Sequence, residues 1–266
     1  MPGLPAGIPI DFRRLETSKS RLAIDWTFPV YAPDLDVEPS DDGRTTTGRR
    51  TTALAREAAF RAVRGDDHRP LLIVRECNHC KGTDDALLSR RLDNERTLLL
   101  TRWFRCIKLP NHVLLDDHPF RRLFTAEEPP HLFLCRWDGS EIVAMDGQQS
   151  QADLWQAMES RIRADYEGDP ARAVRAILKL LNQFDALDSR ETELRRQLEE
   201  ELDDHGDGGS KVRRLRSKLD DLAAARKKLL EREAEVSDLE LRPLSDEDRA
   251  RFEGASESAA AADGGR

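Results

Sequence analysis

Apolar residues fall into two regimes along this chain. Between residues 70 and 165 they come as short runs and amphipathic stretches. Leu71-Leu-Ile-Val74 follows Pro70 as a continuous apolar run, the pattern of a strand buried on both faces. Thr97–Leu109 gives a second run, and Leu132-Phe-Leu134, introduced by Pro129-Pro130, a third. Trp137-Asp-Gly-Ser140 has turn composition and leads into a fourth strand over Glu141–Met145. Helices are predicted over Thr52–Arg64, closed by Gly65, over Asp84–Leu92, and over Gln151–Arg163, with a short one at Pro119–Phe124. The parallel step runs from Leu71–Val74 through the Asp84–Leu92 helix to Leu98–Ile107, as a right-handed crossover.

After Asp165 the spacing changes to heptads. Leu180, Phe184, Leu187, Leu194 and Leu198 alternate in fours and threes, interrupted by Glu191. Gly206-Asp-Gly-Gly-Ser210 breaks the pattern, and Val212, Leu215, Leu219, Leu222, Leu229 and Val236 resume it, with Arg226 and Glu233 at two seam positions. Two helices, Asp169–Asp204 and Lys211–Leu239, are therefore predicted to fold back as an antiparallel coiled-coil hairpin. The acids that end the first helix (Glu199–Asp204) and the bases that begin the second (Lys211–Lys218) then face each other across the turn. The four predicted segments are a partly extended N-terminal arm over 1–50 with one short strand at Leu22–Phe28, an α/β domain over 51–165, the hairpin over 166–241, and a small, polar, disordered tail over 242–266.

Charged residues make up 35% of the 266, above the typical ~25%, and apolar ones only 38%, so solvated helices must lie outside a compact core. A net charge of −8 argues against a nucleic-acid partner and against an anionic membrane surface. No run approaches the ~18 apolar residues of a membrane span, and the N-terminus does not read as a secretory signal. A reducing cytoplasm is the expected compartment, so the four cysteines are read without structural disulfides.

Cys77-Asn-His-Cys80 is the candidate chemistry. At the end of a buried strand and the start of a helix, Cys77 gains thiolate character from the helix N-terminus and from His79, with Glu76 working against them. Cys80, one turn inward, can resolve a mixed disulfide. Cys106 and Cys135 read as small buried apolar residues, and His112, His118 and His131 share no ligand spacing. No metal site and no cofactor are expected.

Leu71–Val74, Cys77-Asn-His-Cys80-Lys81 and Pro130–Gly139 together resemble the thioredoxin-like superfamily over about residues 50–165. The resemblance implies an α/β fold with a mixed central sheet and flanking helices. It also implies a cis-proline at Pro130 beside the cysteine pair, with Cys77 as nucleophile and Cys80 as resolving thiol. Asn78-His79 between the cysteines is closer to disulfide isomerases and oxidases than to thioredoxins. The expected activity is thiol–disulfide exchange with protein clients. The alternative is a redox-inert adaptor of the same fold that uses its hairpin for oligomerisation or for docking a protein.

Overall fold

The computed structural model describes residues 13–30, 52–77, 86–89, 93–146 and 148–253. It is a mixed α/β structure. Five strands, β1 (Trp26–Thr27), β2 (Leu71–Arg75), β3 (Arg105–Leu109), β4 (Leu132–Cys135) and β5 (Val143–Met145), form one sheet in the order β1-β3-β2-β4-β5. β1, β3 and β2 are parallel, while β4 and β5 run antiparallel to their neighbours.

β2 lies at the centre, and all five of its residues are buried. Leu72 and Val74 point into a core shared with α3 (Glu95–Leu100), α4 (Gln151–Asp165) and the first half of α5 (Pro170–His205). Leu71 and Ile73 point into the opposite core, under α2 (Arg56–Arg64) and residues 113–124. An unbroken apolar run is what a strand covered on both faces requires, and each such side chain contributes about 1.5–3 kcal/mol by burial.

The second apolar run divides where a single strand was expected. Leu98, Leu99 and Leu100 are helical, in α3, and the strand begins only at Arg105. All three leucines are buried, and a run apolar on every side gives helix and strand the same signature. Asp93 begins the helix by accepting the Glu95 N–H at 2.9 Å. The predicted Asp84–Leu92 helix falls mostly outside the described residues. Ala86, Leu87 and Leu88 within it form a buried tight turn.

The N-terminal arm also differs from expectation. Residues 16–20 form a short helix, α1 (Glu16–Ser20), laid across α5. Arg14 bridges Glu95 and Asp185 at 2.6 and 2.8 Å, and the Thr17 N–H and hydroxyl both donate to Asp188. The buried Ser18 hydroxyl donates to the Leu181 carbonyl at 2.9 Å. These polar anchors, which carry no apolar periodicity, are why the pattern of hydrophobic positions read this stretch as loop.

The hairpin forms as its heptads require. α5 starts on Asp169, whose carboxylate accepts the Ala171 N–H, and stops at Gly206 with φ +71°. α6 (Ser210–Ser237) returns antiparallel, with Leu194, Leu215 and Leu222 buried between them. The charged seam residues are paired. Arg226 reaches Glu191 at 2.5 Å and Asp188 at 2.8 Å, and buried Glu233 meets Arg102 at 2.7 Å. Near the turn Lys211 meets Glu201, and Arg216 meets Asp207. The base of the hairpin belongs to the main core, through Ala173, Val174, Ile177, Leu181 and Phe184. Beyond α6, residues 246–253 form a further short helix against the lower end of the sheet. No helix among the described residues is long and apolar enough to cross a membrane.

Two glycines with positive φ separate conformational strain from steric room. At Gly139, φ +80°, an added Cβ would stand 2.3 Å from the Phe60 ring, whereas at Gly206 nothing lies within 4 Å. Gly139→Ala is expected to lose about 2–4 kcal/mol and Gly206→Ala about 1 kcal/mol. Urea unfolding of both variants checks this ordering, and equal losses would contradict it.

Candidate functional site

The site is built at the upper end of β2. Arg75 pairs with Leu109 of β3, and the Glu76 N–H donates to the Leu109 carbonyl at 2.8 Å, which carries the ladder one residue past the strand. Cys77 follows, half-buried. Glu76 is half-buried and lies 3.9 Å from the Lys108 ammonium. This cation offsets the Glu76 charge beside the thiol, a neighbour that sequence spacing alone does not reveal. Asn78, His79 and Cys80 lie outside the described residues.

β4 enters from the other side. Val74 pairs with Leu132, so the same antiparallel register puts Pro130 opposite Glu76 and next to Cys77. Pro130 therefore lies beside the backbone of Glu76 and Cys77. Its peptide bond is trans, where the resemblance implies cis, since no cis bond occurs among the described residues. Trans is the intrinsic preference of an X–Pro bond by about 0.5–1 kcal/mol. The backbone here is also held from β2. Arg75, only 8% exposed, donates to the Pro129 carbonyl at 3.1 Å and to the Pro130 carbonyl at 3.4 Å. The signal for Arg75 was present as the one charged residue ending a fully apolar run. Its partners, two main-chain carbonyls far along the chain, leave no trace in sequence.

Three histidines surround this end of the sheet without converging on one ion. His112 and His118 follow β3 and stand edge to face, with ring centroids 5.1 Å apart. His118 Nδ1 accepts the Phe120 N–H, and burial followed by the His112 neighbour holds its pKa below the ordinary imidazole value. His131 Nδ1 lies 2.9 Å from the Asp146 carbonyl. No cluster of three or more potential metal-ligating residues occurs among the described residues.

The other two cysteines are core residues. Cys106 on β3 and Cys135 on β4 flank β2 and face opposite cores, so the sheet itself separates them. Burial pushes the Cys106 thiol up to about 12 and the Cys135 thiol higher still. Tyr166, which donates to the Trp103 carbonyl at 2.8 Å, is likewise raised by burial.

These shifts set an alkaline limit on the fold. In the unfolded chain a thiol ionises near ~8.5, while in the folded chain Cys106 and Cys135 stay protonated. The unfolded state therefore binds fewer protons above that pH, and stability falls as pH rises, by up to ~1.4 kcal/mol per pH unit for each such group. Below the unfolded pKa the contribution is constant. Urea midpoints at pH 7.5, 9 and 10 should decline through this range, and Cys106→Ala should flatten the slope while lowering stability at neutral pH. An unchanged slope in that variant would contradict the assignment.

Compared with known proteins, the chain matches no family model, no curated protein and no solved structure.

Proposed function

We propose that this chain is a thiol–disulfide oxidoreductase of thioredoxin-like architecture, working through Cys77 and Cys80. The observation that supports it is the placement of Cys77. It stands two residues beyond the end of the fully buried central strand of a sheet ordered β1-β3-β2-β4-β5. Parallel strands on one side of β2 and an antiparallel hairpin on the other are the mixed sheet that the sequence resemblance implies. A strand held on both faces and in both ladders fixes the backbone at its exit, so the thiol is presented from a rigid base.

The chemistry is two successive exchanges. The Cys77 thiolate attacks one sulfur of a client disulfide, forms a mixed disulfide and expels the other client sulfur as a thiolate. Cys80, deprotonated, then attacks the Cys77 sulfur and releases the second client thiol. The client gains two electrons and the pair becomes a disulfide, which a small-molecule or protein dithiol reduces again. Run backwards, the same steps oxidise a client. The Lys108 ammonium, 3.9 Å from Glu76, offsets the carboxylate charge that stands next to Cys77 in the chain.

A second reading has its own observation. Pro130 is trans and its neighbouring carbonyls are taken up by Arg75, which leaves the segment beside Cys77 organised for structure. A redox-inert adaptor of the same architecture, presenting the long hairpin of α5 and α6 to a protein or to another copy, follows from that arrangement. The exposed charges of the hairpin's distal half give it a hydrophilic outer face.

Reactivity separates the two. Brief iodoacetamide treatment of the reduced native protein near neutral pH should label Cys77 first and leave Cys106 and Cys135 unlabelled. Insulin reduction with dithiothreitol should be accelerated by the wild type and not by Cys77→Ser. His79→Ala should make the Cys77–Cys80 disulfide harder to reduce, because the thiolate loses a stabilising neighbour. A Cys77 no more reactive than a model thiol, together with no insulin reduction, would favour the adaptor.

A further inference from the structure

At the opposite end of the sheet from Cys77, the chain's last described helix lies over a pocket whose donors it leaves unfilled. Residues 244–253 bury one stripe against the domain, Leu244, Asp248 and Phe252, spaced four apart; the residues between them are exposed, and of these Arg251 also reaches Asp138 at 3.5 Å. Ser245 starts the helix, its hydroxyl oxygen accepting the Asp248 N–H at 3.1 Å. Asp248 takes a two-point ion pair from Arg136. Phe252 sits under the Arg64 guanidinium, 3.8 Å from its ring centre, with Trp137 edge-on at 5.4 Å and His68 at 6.0 Å.

What lies beneath is short of acceptors. Arg64 is 2% exposed, yet among the described residues its hydrogen bonds go only to the Gly65 and Phe252 carbonyls, at 3.3 and 3.4 Å. Among the described residues the indole N–H of Trp137, a residue 4% exposed, has no acceptor, and neither does the buried Arg61 Nε. All three side chains line one cavity of about 500 Å³ between α2, the 137–140 turn and the helix. A second cavity, of about 350 Å³, flanks the helix on its other side, along Arg136, Arg161 and Arg242. A segment bridging two voids, held by Leu244, Asp248, Phe252 and a partly exposed Arg251–Asp138 ion pair at 3.5 Å, sits at the low-stability end of a fold. Isolated helices of a few turns are marginal in water, so the described residues 246–253 owe their shape to the domain they lie on.

We propose that this pocket is a docking site for a partner protein's helix that carries a carboxylate four residues before an aromatic, and that residues 244–253 occupy it as a displaceable mimic. Asp248 and Phe252 show what the pocket selects: an acid for Arg136 and a ring for the slot between Arg64 and Trp137. A partner with further acceptors on the cavity side satisfies the Arg61 Nε and the Trp137 N–H, which the chain's own segment leaves unpaired, and takes over the Arg64 contact that the Phe252 carbonyl now makes. That surplus is what displaces the mimic.

The test uses the full chain and a fluorescent peptide of residues 243–253, with a control peptide lacking the Asp248 and Phe252 side chains. Phe252→Ala vacates the slot, so the peptide should bind this variant at least about tenfold more tightly than the wild type. Adding Arg136→Ala should remove that gain, and the control peptide should not bind. Equal binding to wild type and Phe252→Ala, or equal binding of both peptides, would overturn the proposal. In the wild type, amides of 248–253 should exchange hydrogen at least about a hundredfold faster than those in the middle of α6. Protection equal to α6 would overturn displaceability even if the variants misfold. Concentration-dependent dimers that Phe252→Ala abolishes would assign the pocket to a second copy and also overturn it.

Discussion

The two-sided burial of β2 is the constraint on which the remaining structure depends. Five consecutive buried residues need a ladder on each edge and a core on each face. β3 and β4 supply the ladders, α2 covers one face, and α3, α4 and the base of α5 cover the other. No element can be removed from this arrangement without exposing apolar side chains or unpaired main-chain groups, each loss costing kilocalories. The candidate chemistry sits at the upper end of this strand, and the strapped pocket lies across its lower end. Cys77 and the strapped pocket thus stand at opposite ends of the strand that is buried on both faces.

The hairpin obeys the same constraint. Its first four turns or so are core, contributing Val174, Ile177, Leu181 and Phe184 to the face opposite α2. Only beyond Leu187 does it become a two-helix structure sustained by its own seam. There the charged seam positions are absorbed by geometry. Arg226 bridges two acids of α5, and Glu233 turns inward to Arg102. These pairs orient one helix against the other more than they stabilise it, since ion pairs with partial exposure contribute modestly.

Periodicity revealed the parts of the fold that burial controls. Leu71–Val74, the Leu132–Leu134 strand, the turn at Gly139, the α4 amphipathic helix and the hairpin with its break at Gly206–Gly209 all carry apolar or glycine signals, and all are present. Where the outcome depended on polar contacts at long range, the pattern was silent. α1 is fixed by Asp185 and Asp188, some 170 positions away. Leu98–Leu100 is helical although a strand would bury the same side chains. At the site, Cys77, Glu76 and Pro130 were legible from their positions relative to two strands. Arg75, Lys108 and the trans bond at Pro130 follow from register and from carbonyl partners that only folding brings together.

A redox titration tests the central claim most directly. The full chain would be equilibrated in buffers of defined dithiol-to-disulfide ratio and quenched with acid. The state of Cys77 and Cys80 would then be read by differential alkylation and mass. One reversible two-electron transition should join these two residues, at a potential within the roughly −120 to −270 mV range of working exchange proteins. Cys106 and Cys135 should stay reduced throughout. A chain in which Cys77 forms no disulfide with Cys80 at any ratio, or pairs only when unfolded, would contradict it.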